Sequence, residues 1–196
     1  MITENTGMKI LCAEYNQATH LAIIPVGDNA LLRNNDDFYV PEFATAISCV
    51  PQVVVRICKL GKSVGVRFAG RYYEEIGAGI RFYADNLEQE LQAENLPRIM
   101  ASSFDGSAAI SRLWKREGDC KGEFVFSVNG KSVYEGSLED LPLSVDQLVA
   151  FASDFYTLKI GDFLYCGSRY RHSGLQIGDR LQLRMAGMEL MDFRVR

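Results

Sequence analysis

The sequence predicts an α+β fold dominated by a mixed, rolled β-sheet with a few short helices. Three observations carry that prediction. Apolar runs that are β-branched or alternate in polarity, of which PQVVVRICKLGKSV and EFVFSVNGKSVYEGS are the strongest, outnumber the segments of helical period. These strand-like runs are joined mostly by hairpin turns. The helical readings, FAGRYYEEIGAG, LEQELQAENLP and LPLSVDQLVAFASDFYTL, are few and short.

Taken in order, residues 1–7 (MITENTG) read as a short disordered lead, because the first strand-like segment, MKILCAEY, opens at Met8. IPVGDNALLRNNDDF, rich in Gly, Asn, Asp and Pro, reads as a loop. PQVVVRICKLGKSV is a strand closed by a Gly-Lys turn, FAGRYYEEIGAG a short helix stopped by glycines, and LEQELQAENLP a helix ended by Asn-Leu-Pro. In EFVFSVNGKSVYEGS, Phe124, Phe126 and Val128 alternate up to Asn129-Gly130, the pair that a type I′ hairpin turn demands. Ser144 followed by Gln147 is a capping-box pattern, and Val145, Leu148, Ala152 and Phe155 mark one face of the helix it opens. KIGDFLYCG and QIGDRLQLR share one turn requirement, and RLQLRMAGMELMDFRV closes the chain as a hairpin. No linker divides residues 8–196, which read as a single domain.

Composition excludes several classes. At 196 residues the chain can bury roughly 70% of the surface its unfolded form exposes, so neither metal nor disulfide is needed to hold it together. A net charge of -4 without a basic stripe argues against a nucleic-acid surface. The five cysteines, Cys12, Cys49, Cys58, Cys120 and Cys166, are scattered and never in a C-x-x-C spacing, which suggests neither a disulfide framework nor a zinc site and fits a reducing compartment. No signal-peptide pattern and no long apolar span occurs, so the cytoplasm is the expected location and no membrane partner is expected.

The segments KILCAEYNQATH, VVVRICKLGK, RFAGRYYEEIGAGI, LPRIMASSFDGSA, FSVNGKSVYEG, TLKIGDFLYCG and LQIGDRL, in this order, resemble the fumarylacetoacetate hydrolase family. That family includes acylpyruvate hydrolase, oxaloacetate decarboxylase and hydratase or isomerase relatives. The resemblance implies the β-roll of the family's C-terminal domain, a homodimer, and C–C bond chemistry on 2-oxo or β-diketo acids. It also implies Mg²⁺ or Mn²⁺ held by a Glu-x-Glu and a later Asp, since hard cations need such oxygen ligands. Carried onto this chain, those metal positions fall on Val50, Gln52 and Arg81. A guanidinium cannot ligate a metal, and like-charge repulsion would oppose one beside it. The resemblance therefore implies a lost metal site and no metal cofactor.

Other working positions depart as well. The Lys before the family's Phe-Asp element corresponds to Ser102, and its Gly-Thr-Pro loop reads Gly167, Ser168, Arg169, followed by Tyr170, Arg171 and His172. Asn16 and His20 match the family's Asn-Tyr-x-x-His, in which the His is a general base aided by a Glu; here that Glu is Ile23. His20 is thus either a retained base or a surface histidine. Arg81 either pairs with a buried acid such as Glu75 or Asp85, or takes the place of the metal's charge and receives a ligand carboxylate bidentately. Arg169 and Arg171 are either solvated loop arginines or part of that anion site, with Asn16, Ser102 and Ser168 as further candidates. Cys166 is a core filler or, beside the pocket loop, a reactive thiol. The expectation is a catalytically inactive relative that binds a small carboxylic acid. The alternatives are an active enzyme using Arg81 in place of the metal, and an interaction subunit of an active paralogue.

Overall fold

Apolar alternation along the chain becomes two sheets in a computed structural model that describes residues 7–16, 20–33, 35–116 and 122–196. The first half supplies β1 (Ile10–Tyr15), β2 (Leu21–Val26), β3 (Leu31–Leu32) and β4 (Ile47–Ile57). Helix α1 (Val66–Ala69), strand β5 (Tyr73–Ala84), helix α2 (Asp85–Ala93), β6 (Ala108–Ile110) and β7 (Trp114–Lys115) follow. The second half contains β8 (Phe124–Val128), β9 (Lys131–Gly136), α3 (Val145–Phe155), β10 (Phe163–Tyr165), β11 (His172–Ser173), β12 (Arg180–Met185) and β13 (Met188–Arg194).

The larger sheet runs β2-β1-β10-β4-β5-β6-β3, with β11 also on β4 and β7 also on β5, and the smaller one β13-β12-β8-β9. Pairs β1–β10 and β3–β6 are parallel and the remaining neighbours antiparallel, so the larger sheet is mixed, as expected. Its spine is the long ladder between β4 and β5, in register from Ile47↔Ala84 to Arg56↔Glu75, with a shift before the last pair Ile57↔Tyr73.

Strand β5 corrects the sequence reading. Of the expected short helix only Phe68 and Ala69 are helical, as the end of α1, and EEIGAG lies inside a strand. Its glycines are not stops: a Cβ on Gly77 would meet Ser111 Oγ at 2.9 Å, and one on Gly79 would meet Tyr165 Cε1 and Val54 Cγ2 at 2.6 Å. They let neighbouring side chains cross the strand closely. Strand β4 begins earlier than expected, at Ile47, and ends at Ile57, before the Gly61-Lys62 pair. In the expected loop, Ile24–Val26 complete β2, and a 3₁₀ turn (Asp28–Ala30) and β3 follow. The expected disordered lead lies outside the described residues apart from Gly7, and so does Cys120.

The two sheet faces separate two cores. Leu11, Val53, Val55, Ile80, Phe82 and Leu164 face the main core, where Phe38 stacks on Phe82 with ring centroids 3.7 Å apart. Ile10, Cys12, Val54, Ala108 and Tyr165 form a smaller core on the opposite face. Asn129 (φ 53°) and Gly130 (φ 78°) make the hairpin turn the sequence demands. The kinship of the two Ile-Gly-Asp turns is local: Asp162 accepts from the Lys159 N–H and Asp179 from the Gln176 N–H, each at 2.8 Å, with Gly161 and Gly178 at positive φ.

Helix α3 has its capping box, the Ser144 hydroxyl accepting from the Gln147 N–H at 3.3 Å and the Gln147 side chain from the Ser144 N–H at 2.9 Å. Val145, Leu148 and Ala152 are buried, whereas Phe155, assigned to the same face, is 63% exposed against Phe151 at the helix end. Ser144→Ala is expected to lower stability by about 1 kcal/mol, read as a shift in the urea midpoint at constant slope.

Candidate functional site

In an antiparallel ladder, residues directly opposite each other project to the same face. Register therefore puts Ser48 beside Tyr83, Val50 beside Arg81 and Gln52 beside Gly79 on one face. Strand β10 adds Tyr165 opposite Val54, and β1 adds Cys12 opposite Tyr165, with Glu14 next along that face of β1. The chain after β10 crosses above and returns as β11, pairing His172 with Cys49 and Ser173 with Ser48. A cleft of about 410 Å³ opens there, lined by Asn16, Val50, Tyr83, Ser168, Arg169 and Arg171 among others.

Arg81 is wholly buried, the largest such side chain among the described residues. Its Nη2 donates to the Ser102 carbonyl at 2.5 Å, while Nε and Nη1 have no acceptor in hydrogen-bonding geometry among the described residues. The expected ion pair with Glu75 or Asp85 is not formed. Glu75 lies opposite Arg56 and pairs with it at 3.1 Å, and Asp85, at the start of α2, pairs with Arg171 at 2.5 Å. The Cys12 thiol, the Tyr83 and Tyr165 phenols and the Glu14 carboxylate surround the guanidinium instead. Burial works against its charge, but these neighbours outweigh burial and its pKa is raised. Arg81 is therefore a permanent cation in a low-dielectric setting. Burial pushes the Cys12 thiol up to about 11, with Arg81 opposing the rise, so the thiol stays protonated.

Gln52 is buried and accepts from the Gly167 N–H at 2.6 Å, which ties the loop after β10 to the sheet. Gly167 (φ 80°) has no room for a side chain, since a Cβ would lie 2.7 Å from the Ala13 carbonyl. The same loop is braced from the smaller sheet: Tyr170 stacks on Tyr134 of β9 at 4.4 Å, and its hydroxyl meets His172 Nδ1 at 2.9 Å. At the positions where the family resemblance implies metal carboxylates stand an aliphatic side chain, an amide whose oxygen is already engaged, and a cation. This donor set does not fit a hard divalent ion. Among the described residues no group of three or more His, Cys, Asp or Glu side chains is placed to hold a metal.

The other candidates divide. Arg171 is occupied within the protein: Nε donates to Ser48 Oγ at 2.6 Å, Nη2 reaches Asp85 at 2.5 Å and Glu88 at 2.7 Å, and the group lies 4.4 Å from the centre of the Tyr83 ring. Arg169 is exposed at the cleft and pairs with no described residue. The Ser168 hydroxyl accepts from the Tyr170 N–H at 3.1 Å. Ser102 works through its carbonyl, which accepts from both Arg81 and Ser107 Oγ, rather than through its hydroxyl. Asn16 and His20 close the β1–β2 connection on each other, the His20 N–H donating to Asn16 Oδ1 at 2.8 Å; His20 is exposed and Asn16 lines the cleft. Cys166 is wholly buried and burial raises its thiol to about 12, which fits the core filler and not the reactive thiol.

Two residues of this site escaped the sequence reading. The Tyr83 ring lies between Arg81 and Arg171, 5.5 and 4.4 Å from the two guanidinium carbons, and its hydroxyl donates to half-buried Glu14 at 3.2 Å. The available signal was Glu14 itself, a carboxylate breaking the apolar run of β1 two residues after Cys12 and hence on the same face.

A mixed sheet rolled against a second, smaller one defines a structural class, and known structures share that fold. The structure superposes with a TM-score of 0.87 on fumarylpyruvate hydrolase from Pseudomonas aeruginosa in complex with Mn²⁺ and pyruvate, at 19% identity over 96% of this chain and 89% of that one. For 5-carboxymethyl-2-hydroxymuconate delta-isomerase from Mycobacterium smegmatis the TM-score is 0.84, at 18% identity over 96% and 78% of the two chains. These likenesses establish the fold. Residues 12–196 match the family described as fumarylacetoacetate (FAA) hydrolase C-terminal, and the chain belongs to that family. Among curated relatives, mitochondrial oxaloacetate tautomerase FAHD1 of Mus musculus is 21% identical over 97% of this chain and 92% of its own length. Oxaloacetate tautomerase YcgM of Escherichia coli is 27% identical over 58% of this chain and 54% of its own. No helix among the described residues is long and apolar enough to cross a membrane.

Proposed function

We propose that this chain is a metal-independent member of the fumarylacetoacetate hydrolase family that binds a small carboxylate in the cleft above Arg81 and has lost the metal-assisted C–C chemistry. The observation that carries the reading is the fully buried guanidinium of Arg81 beside Val50, where a divalent ion's ligands are implied. It supplies the positive charge that a metal would bring. Arg169, exposed at the rim and paired with no described residue, gives an incoming carboxylate its first cationic contact, with Asn16 and Ser168 beside it. The names of similar proteins support the ligand class: one is an oxaloacetate tautomerase and one was crystallised with pyruvate.

Thermal unfolding with added metal tests the reading. A ligand at 100 times its Kd adds about 2.7 kcal/mol to the folded state, which for a chain of this size raises Tm by roughly 5–10 °C. Millimolar Mn²⁺ or Mg²⁺ is expected to shift Tm by less than about 1 °C on that scale, and pyruvate to raise it. A metal-induced rise of several degrees, abolished by chelator, would sink the proposal. The free N–H groups of Arg81 favour a second reading, in which the guanidinium stabilises a developing enolate without metal. Metal-free turnover of oxaloacetate or an acylpyruvate that disappears in Arg81→Met would select it.

A further inference from the structure

We infer that this site selects a monocarboxylate carrying an apolar arm over a dicarboxylate of the same length, an inference that rests on the carboxylate-binding reading above. The cleft above Arg81 does not stand alone. A second depression of about 290 Å³ shares Glu14, Tyr83 and Glu88 with it as a common wall. The buried guanidinium lines neither but touches the wall of each: its strand partner Val50 lines the first, and Ser102, whose carbonyl it holds, lines the second.

The two depressions differ in chemistry. The first has the cation Arg169, which pairs with no described residue, together with the hydrogen-bonding groups of Asn16 and Ser168. The second is walled by Ile23, Ile24, Pro25, Pro97, Ile99 and Ala101. At the junction stand two carboxylates, Glu14, which accepts from the Tyr83 hydroxyl at 3.2 Å, and Glu88, which accepts from Arg171 at 2.7 Å. The cation of the second depression, Arg98, has a 57% exposed side chain drawn to Glu88 at 3.5 Å.

A ligand whose carboxylate sits in the first depression must extend past Glu14 and Glu88 to reach the second. A second carboxylate on its far end passes two like charges and arrives at an apolar wall, where it loses hydration without gaining a free partner. An alkyl arm gains from every methylene that the same wall covers. Discrimination against a buried charge is steeper than discrimination by size.

Isothermal titration of the purified chain with pyruvate, 2-oxohexanoate and 2-oxoadipate reads the difference directly. 2-Oxohexanoate is expected to bind about tenfold more tightly than either of the others, its arm partly covered by the second depression. Ile99→Asp should erase its advantage over pyruvate, and Glu14→Gln should bring 2-oxoadipate to within about threefold of it, since the repelling charge goes while the Tyr83 hydrogen bond can stay. If pyruvate binds and 2-oxoadipate binds as tightly as 2-oxohexanoate, the selectivity inference alone is overturned. If none of the three binds, it falls together with the carboxylate-binding reading.

Discussion

Arg81→Ala is expected to cost about 3 kcal/mol of stability, whereas Arg81→Met should stay within about 1 kcal/mol of the wild type. The alanine removes the largest wholly buried side chain among the described residues and leaves a hole beneath Val50, between Tyr83 and Tyr165. It also removes the bond from Nη2 to the Ser102 carbonyl, although that carbonyl keeps the Ser107 hydroxyl at 3.1 Å. Against these losses stands a gain, because Nε and Nη1 are desolvated without an acceptor and their burial is unfavourable until removed. Methionine keeps most of the volume and abolishes the desolvated charge. Denaturant unfolding of both variants separates volume from charge. Equal destabilisation would mean that the charge itself, set against Glu14, holds the face together, and would weaken the view of Arg81 as a buried cation whose field serves a ligand in the cleft.

Gly79→Ala is the second large effect, expected at about 3 kcal/mol. The position is at the centre of the β4–β5 ladder, opposite Gln52. A Cβ there would lie 2.6 Å from Tyr165 Cε1, 2.6 Å from Val54 Cγ2 and 3.0 Å from the Ala109 carbonyl. None can retreat easily: Val54 and Tyr165 are fully buried, and the Tyr165 hydroxyl is anchored on the Ala108 and Ala109 carbonyls at 3.3 and 3.1 Å. Because Tyr165 also packs near Arg81, the strain should reach the cleft and weaken carboxylate binding beyond what lost stability explains. A urea midpoint unchanged from wild type would show that the ladder yields more readily than close packing allows.

Which parts of this architecture were legible in the sequence follows from the range of the interactions involved. The Asn129-Gly130 turn and the Ser144–Gln147 cap are set by neighbours in the chain and are where the letters put them, and the helix expected on LEQELQAENLP forms two residues earlier, as Asp85–Ala93. Strand β5 was misread because its glycines answer to Tyr165, Val54 and Ser111, which are remote in sequence. The ion pair offered as one alternative for Arg81 fails for a related reason. Glu75 and Asp85 are near it along the chain, but register sends one to Arg56 and the other to Arg171. The family resemblance pointed to Val50, Gln52 and Arg81, and the ladder places all three on one face. What it could not supply was the second layer, since Glu14 and Tyr83 meet only after β1, β10, β4 and β5 are laid side by side.

The pairing of Val50 with Arg81 also sets the order in which anyone could engineer a cation centre into this scaffold. A glutamate introduced at Val50 alone would be captured by the adjacent guanidinium as an internal ion pair, inert toward Mn²⁺. An aspartate introduced at Arg81 alone would leave an uncompensated anion buried beside the Cys12 thiol and Glu14. Neither single step advances toward coordination, so the route runs through simultaneous replacement at both positions, together with release of Gln52 from the Gly167 N–H.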